Sequence, residues 1–374
     1  LPTSTFPGAD VVNSSRWLGG DGAADLGTTQ WLPYWANGNV PAVELVRAAR
    51  ATDRLDAALA LPTTVDAIVD YILDHANRTN GWLGPYANEP GDTNGHGLWD
   101  PLNTVRALLY AAQPADDARA RAVLGKVIAH MSAEAALVAT DPIVDWAAAR
   151  WPSFAELCQA LVDDWLPRFG DDPAVAPLGA SATAALLLNA SALFRAKALD
   201  WRGYYAETAA QPFPHGAVDD WNYVDHGGDN AEGALRGPAV AWRASGQSAD
   251  RDALAGLVLA QLDAWQAQPA ALFCADEVFC GREPYRGTET CAVVEALAAL
   301  EHAFVTFGDV ALMDRVERLA FNALPAALTA DMWSHVYVQQ ANSVYAGDTP
   351  DGAGRGCAGG CRASDDAPSD EDRH

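Results

Sequence analysis

Apolar residues recur at intervals of three and four along most of this 374-residue chain, and this pattern constrains the fold more than any other feature. Such intervals place apolar side chains on one face of an α-helix, whereas the alternation typical of strands is scarce here. We therefore expect an all-α protein, with helices over residues 42–60, 64–76, 101–112, 117–138, 178–198, 229–245, 249–266, 290–307 and 310–327.

The predicted helices are joined by alternating short and long loops and show no heptad register. This organisation favours helical hairpins wound into an α/α toroid over a coiled coil. The absence of a repeat at a fixed period disfavours a TPR or HEAT-type solenoid. Residues 1–345 are expected to form one domain that is incomplete at its C-terminus. Residues 346–374 are rich in Gly and Asp, which predicts a disordered tail.

The charge balance limits the kinds of partner that suit this chain. With 24 basic and 49 acidic residues, the formal charge is -25 and the pI is about 4.4. That balance argues against nucleic acid or an anionic membrane as partner. No run approaches the roughly 18 consecutive apolar residues of a membrane span. A neutral or weakly charged substrate is the natural expectation.

Three features of the sequence bear on the cellular compartment of the protein: its N-terminus, three sequons and six cysteines. The chain begins at Leu1 without a methionine, which fits either a removed targeting segment or a fragment. Acceptor sequons at Asn13, Asn77 and Asn189 would be usable on a secretory route, which is therefore weakly favoured. Cys274 and Cys280 lie close enough in sequence for a loop-closing disulfide in an oxidising compartment.

Glu289 and Cys291 form the most informative pair of chemically active residues, within the stretch RGTETCAVVEALAALE. In an extended segment leading into a helix, residues two apart fall on the same face, so the two side chains can converge. Thr288 and Thr290 are both plausible N-caps, and the helix N-terminus favours a thiolate. The pair suggests zinc ligands. The alternative is a small buried cysteine beside a solvated acid.

Other candidates lie in the loops. Asp276 and Glu277 supply acids just upstream, suited to proton donation at a glycosidic oxygen or to ordinary surface exposure. His226, with Asp225 and Asp229 beside it, stands where a loop opens a helix capped by Asp229 or Asn230. It is a candidate substrate contact or a structural histidine.

Thirteen tryptophans give the chain an aromatic character, and some lie beside Gly or Pro in predicted loops. Because pockets are commonly lined by aromatic rings, Trp35, Trp82 and Trp99 are candidates for the wall of a sugar site, and most of the others are expected in the core. No Walker loop, GxGxxG, GxSxG or HExxH motif occurs. Nucleotide-dependent and serine-hydrolase functions therefore lack support.

The order of these segments resembles the β-L-arabinofuranosidase-like glycoside hydrolases of family 127. The matching stretches lie between about residue 30 and residue 342 and read PYWANGNVPAVELV, IVDYILDHANRTNGWLGP, DHGGDNAEGALRGPAVAWRASG, CADEVFCGREPYRGTETCAVVEALAALE, GDVALMDRVERLAFNALPAAL and DMWSHVYVQQAN.

This resemblance implies an (α/α)6 barrel that removes terminal L-arabinofuranosyl residues with retention, using a cysteine nucleophile on zinc held by one glutamate and three cysteines. Glu289 and Cys291 match the first half of that zinc motif. Glu277 matches the general acid, although it lies closer to Glu289 than the family pattern does. His226 matches a sugar-contacting histidine.

The chain departs from the family where the nucleophile should stand. After Gln340-Ala341-Asn342 the family continues to two adjacent cysteines, and this sequence contains no such pair. Cys357 and Cys361 lack the family's surroundings, so neither inherits the role. The alternatives are a non-catalytic carbohydrate-binding protein and a metal-independent glycosidase using two carboxylates.

Overall fold

The computed structural model describes most of the predicted helical regions. The described residues are 28–48, 61–74, 76, 80–83, 98–113, 117–143, 145–208, 224–273, 279, 281–282, 287–330, 335–336 and 338–340. Within them nearly all regular structure is helical, which confirms the all-α class. The chain divides into two compact units, Leu1–Ala148 with Phe154–Ala198 (unit 1) and Ala149–Ser153 with Leu199–His374 (unit 2). The predicted single domain over residues 1–345 stays a prediction.

The described residues before 199 form a succession of helices. These are α1 Thr28–Ala48, α2 Leu61–Asp74, α3 Asp100–Ala112, α4 Asp117–Thr140, α5 Asp145–Ala149, α6 Trp151–Ala160, a π-helical turn Leu161–Trp165, α7 Leu166–Phe169 and α8 Ala180–Lys197. In unit 1, α3 packs on α1 and α4, and α4 also packs on α8. The predicted helix start at residue 42 is wrong, because α1 begins at Thr28 and contains both Pro33 and Pro41.

A buried polar cluster lies inside unit 1. His130 and Glu134 are one turn apart on α4, both fully buried, with His130 Nε2 3.3 Å from Glu134 Oε2. The backbone N–H of Leu83 donates to His130 Nδ1 at 3.1 Å. Burial raises the pKa of the Glu134 carboxyl well above its usual value. Burial, and then the nearby Glu134, likewise raise the pKa of the Cys158 thiol. The cluster is therefore stable in its uncharged form.

This cluster should make stability depend on pH. Burial lowers the pKa of His130 to about 3 from an ordinary 6.5. Between those two pKa values the imidazole binds a proton only in the unfolded chain. Acidification through this range should therefore lower the free energy of unfolding by up to about 1.4 kcal/mol per pH unit. The raised pKa of Glu134 has the opposite effect on stability. Its stabilising contribution is fully present below the pKa of the carboxyl in the unfolded chain, and it is lost as the pH rises through the pKa in the folded chain.

The variant His130→Asn, which keeps an acceptor for Leu83, should flatten the acid side of the stability profile. Urea unfolding of both proteins at several pH values between 3 and 7 measures the difference. Glu134→Gln should instead flatten the profile at higher pH. Parallel profiles for the wild type and His130→Asn would contradict the assignment of the acid slope to this histidine.

The described residues after 198 form the elements of unit 2. These are α9 Trp201–Thr208, α10 Gly227–Asp229, a π-helical turn Asn230–Ala234, α11 Gly237–Ser245, α12 Ser248–Ala253, a π-helical turn Leu254–Leu259, α13 Ala260–Trp265, β1 Gly287–Glu289, α14 Thr290–Phe307, α15 Val310–Arg318, a π-helical turn Leu319–Ala323, α16 Leu324–Ala326 and β2 Val338–Gln340.

Helix α14 organises the core of unit 2. It packs on α15, on α10 and on the π-helical turn after α10. Its buried face carries Ala292, Ala296, Ala299 and Ala303, whose small side chains allow neighbouring helices to approach closely. Gly308 ends α14 in the left-handed conformation, and the Asp309 side chain accepts a hydrogen bond from the Ala311 N–H as the next N-cap. These features coincide with the predicted helix end at residue 307 and the predicted helix start at residue 310.

Two helical segments, Ala118–Thr140 and Thr290–Phe307, have the length and mean hydropathy of a membrane span. Core helices of folded proteins meet the same condition, and the first segment carries the buried His130 and Glu134. The expectation that no membrane is involved stays a prediction.

Candidate functional site

The junction of β1 and α14 positions the two predicted metal ligands. Strand β1 is buried and pairs antiparallel with β2, with Glu289 opposite Val338. The Thr288 hydroxyl donates to the Phe273 carbonyl at 3.0 Å, and the Thr290 hydroxyl donates to the Val336 carbonyl at 2.7 Å. Neither threonine therefore acts as the predicted cap. The N-cap is Glu289, without a side-chain capping bond.

Glu289 and Cys291 converge, as the extended segment predicted. Glu289 is buried, Cys291 is exposed, and their side chains are hydrogen-bonded to each other. The surrounding protein still desolvates the thiol and raises its pKa, and the Glu289 carboxylate raises it further. The positive charge of Arg150 lowers the pKa of the thiol, but by less than burial and Glu289 raise it. The expectation that the helix N-terminus favours a thiolate is therefore wrong for this environment.

His226 lies against the Glu289 carboxylate. It is buried, and its Nε2 lies 3.5 Å from Glu289 Oε2. The histidine is itself the N-cap of α10, because its Nδ1 accepts a hydrogen bond from the backbone N–H of Asp229 at 3.3 Å. The predicted caps, Asp229 and Asn230, are instead the last residue of α10 and the first of the following π-helical turn. The structure thus brings together three predicted residues, His226, Glu289 and Cys291.

Arg150 contributes a buried positive charge to the same region of unit 2. Its Nε donates to Asp229 Oδ1, and its Nη1 lies 3.4 Å from Glu232 Oε2. Burial raises the pKa of Asp229, while Arg150 and then His226 oppose the rise. No sequence pattern indicated Arg150, because it lies 79 residues from Asp229 and outside every motif.

Arg236 extends this buried network. It donates to Ser153 Oγ at 2.6 Å, and Ser153 in turn bonds Glu232. Arg236 also lies 3.7 Å from carboxylate oxygens of Glu232 and Glu295. Three carboxylates, those of Asp229, Glu232 and Glu295, therefore face two guanidinium groups, and Glu289 lies nearby against His226, so the fully ionised network carries excess negative charge. Ser153 was missed for the same reason as Arg150, whereas Glu232 and Arg236 lie within the matching stretch DHGGDNAEGALRGPAVAWRASG but were not singled out from it.

Asp225, the other acid beside His226, is tied to helix α9. The Tyr204 hydroxyl bonds Asp225 Oδ1, and the Tyr205 hydroxyl bonds Asn230 Oδ1 at 2.7 Å. Burial and the charge of Asp225 both raise the pKa of Tyr204 well above its usual value. The two tyrosines therefore act as hydrogen-bond donors that hold Asp225 before α10 and Asn230 after it.

The remaining predicted site residues are placed differently. Trp82 packs against His130, and Trp99 against Trp146, in the core of unit 1, where both indoles are almost fully buried. Trp35 is half-buried. Glu277 lies outside the described residues, as do Asp276, Cys274, Cys280, Cys357, Cys361 and residues 346–374.

The donor set at Glu289 and Cys291 fits half of a zinc site. One carboxylate and one thiol face each other, which are suitable zinc ligands. Among the described residues, no group of three or more His, Cys, Asp or Glu side chains is arranged to hold a metal ion. The remaining ligands of any such site are therefore not among these residues.

Solved structures with the same fold are known, although no protein-family model and no curated protein matches the chain. One is the GH127 β-arabinofuranosidase BT3674, with a TM-score of 0.55 and 14% identity over 88% of this chain and 50% of that one. Another is Ara127N, a GH127 β-L-arabinofuranosidase from Geobacillus stearothermophilus T6, with a TM-score of 0.59 and 14% identity over 88% and 52%. The fold is GH127-like, and the chain spans about half the length of these proteins.

Proposed function

We propose that this GH127-like chain is a glycoside hydrolase-like domain with a carbohydrate substrate, in which Glu289 and Cys291 are zinc ligands. The observation that carries the proposal is the hydrogen-bonded contact between the Glu289 carboxylate and the Cys291 thiol at the start of α14. Terminal L-arabinofuranosides are the proposed substrates, because the sequence resemblance implies that specificity and the solved structures with this fold are a β-arabinofuranosidase and a β-L-arabinofuranosidase.

The electrostatics of the site support a divalent cation. The excess negative charge of the buried network is costly in a low-dielectric interior unless a cation balances it. Bound zinc would lower the pKa of a ligand thiol and orient its sulfur. Glu289 would hold the metal from a rigid strand, while His226 contacts the carboxylate from the side of α10.

Two parts of a hydrolytic mechanism depend on other residues. Glu277 is proposed as the general acid that protonates the leaving oxygen. The nucleophile is not assigned, because the sequence contains no adjacent cysteines. That departure favours a second candidate function, a carbohydrate-binding protein without turnover.

Replacing Cys291 with Ser should lower the zinc affinity of the purified chain at least tenfold, since a thiolate ligand is lost. Competition with a chromophoric chelator measures the affinity. Cys158→Ser, at a buried cysteine of unit 1, is the matched control and should leave zinc binding unchanged. Equal zinc affinities for the wild type and Cys291→Ser would contradict the assignment of Cys291 as a ligand.

Assays with an aryl β-L-arabinofuranoside, with and without a chelator, separate the candidate functions. Hydrolysis that a chelator abolishes supports the zinc-dependent enzyme. Hydrolysis that survives chelation supports the two-carboxylate mechanism. Saturable binding of L-arabinose without hydrolysis supports the non-catalytic protein.

A further inference from the structure

Five consecutive residues, Ala149–Ser153, belong to unit 2, although the residues on either side of them belong to unit 1. We propose that this segment, the strap, closes the core of unit 2, so that its release opens unit 2 while the helices of unit 1 stay folded. The inference is independent of the proposed function, because it concerns only contacts inside unit 2.

The local sequence of the strap leaves its backbone open to other elements. Helix α5 ends at Ala149 and α6 begins at Trp151, so Arg150 lies in a break between two helices. The last carbonyl groups of a helix have no partner within it, and proline is tolerated in a first turn, where its missing N–H is not needed. Pro152 occupies that turn of α6. The strap can therefore bond to groups outside its own helices.

Two tryptophans fasten the strap to the start of α9 in a reciprocal way. Trp201, on α9, donates from its indole nitrogen to the Ala149 carbonyl at 2.7 Å. Trp151, in the strap, donates from its indole nitrogen to the Leu199 carbonyl at 3.0 Å. Both rings are buried, and Ala149 is part of the hydrophobic core of unit 2. Breaking either bond would leave a buried polar group unsatisfied.

The polar side chains of the strap complete the buried ionic network of unit 2. Arg150 donates to Asp229 and lies 3.4 Å from Glu232, so the strap supplies a guanidinium group to that network. Ser153 bonds Glu232 and accepts from Arg236 at 2.6 Å. Releasing the strap withdraws positive charge from these carboxylates, and they can then be stabilised by hydration only if unit 2 opens.

Two glycines let the helical elements of unit 2 close on the strap. A Cβ at Gly233 would overlap the Ala149 carbonyl oxygen, and a Cβ at Gly237 would stand 3.6 Å from Pro152 Cγ. Gly233 lies in the π-helical turn after α10, and α14 packs on that turn. The strap therefore supports the turn that contacts α14, so its release should expose the amides of that helix.

Hydrogen exchange of the full chain, followed by mass spectrometry of peptic fragments, tests the strap. In the double variant Arg150→Met/Ser153→Ala, amides of α14 should exchange at least about tenfold faster than in the wild type, because buried hydrogen bonds to charged groups are lost. Amides of α4, in unit 1, should keep their wild-type rates. Arg106→Met is the matched control, because it removes a partly buried ion pair with Glu156 of α6, just beyond the strap, and should leave α14 unchanged.

A milder variant covers the case in which the double variant does not fold. Ser153→Ala removes a single hydroxyl group, so its circular dichroism should match that of the wild type. Its α14 amides should still exchange faster than those of the wild type, by a smaller factor than in the double variant.

The pattern of exchange decides between three outcomes. Faster exchange in α14 together with wild-type exchange in α4 supports the strap. Equal acceleration in both helices would overturn the selective opening of unit 2, because the whole chain would then open as one. Wild-type exchange of α14 in the variants would show that unit 2 closes without these bonds, and would overturn the role of the strap.

Discussion

Replacing Arg236 with Met should lower the free energy of unfolding by about 3–5 kcal/mol, the usual cost of breaking a buried ion pair by removing one partner. Arg236 is almost fully buried and lies 3.7 Å from both Glu232 and Glu295. Methionine fills much of the volume of the arginine side chain. It carries no positive charge, however, to balance the Glu232 and Glu295 carboxylates in a low-dielectric interior. Urea unfolding followed by circular dichroism measures the loss.

Two further variants test this interpretation. Arg315→Met removes a partly exposed ion pair with Asp263 and should cost less than about 1 kcal/mol. Combining Arg236→Met with Glu232→Gln removes one stranded carboxylate, so the double variant should be more stable than Arg236→Met alone. A loss under 1 kcal/mol for Arg236→Met would show that water or a neighbouring group compensates for the missing charge.

The helices could be predicted wherever the apolar pattern was long and uninterrupted. Helix α14 runs from Thr290 to Phe307, matching the predicted 290–307, because its buried residues, mostly alanines, recur at intervals of three and four. The short helices show no such apolar spacing in the sequence. Among the described side chains of helix α9 only Trp201 and Tyr205 are buried, and the prolines within α1 interrupted the pattern before residue 42.

The site was predictable only where it is local in sequence. Glu289 and Cys291 are two residues apart, so backbone geometry alone brought them together. The capping threonines were predicted wrongly because their hydroxyls bond to Phe273 and Val336, which approach only in the folded chain. Arg150 meets Asp229 across 79 residues, a distance over which a single sequence carries no pairing information.

The substitution Gly233→Ala should also be strongly destabilising, by about 3 kcal/mol, at the upper end of the usual cost of overpacking. An added Cβ would overlap the Ala149 carbonyl oxygen and the Trp201 indole nitrogen, and would lie 2.8 Å from Trp201 Cε2. Those two groups already bond to each other, with Trp201 Nε1 donating to the Ala149 oxygen at 2.7 Å. Neither can withdraw without breaking that buried hydrogen bond.

Gly256→Ala is the matched control, because a Cβ there meets no atom within 4 Å and the residue lies in the π-helical turn Leu254–Leu259. It should raise stability by about 0.5–1 kcal/mol, since alanine favours helical backbone over glycine. Urea unfolding of both variants measures the contrast, and similar values for the two would contradict the close contact at Gly233.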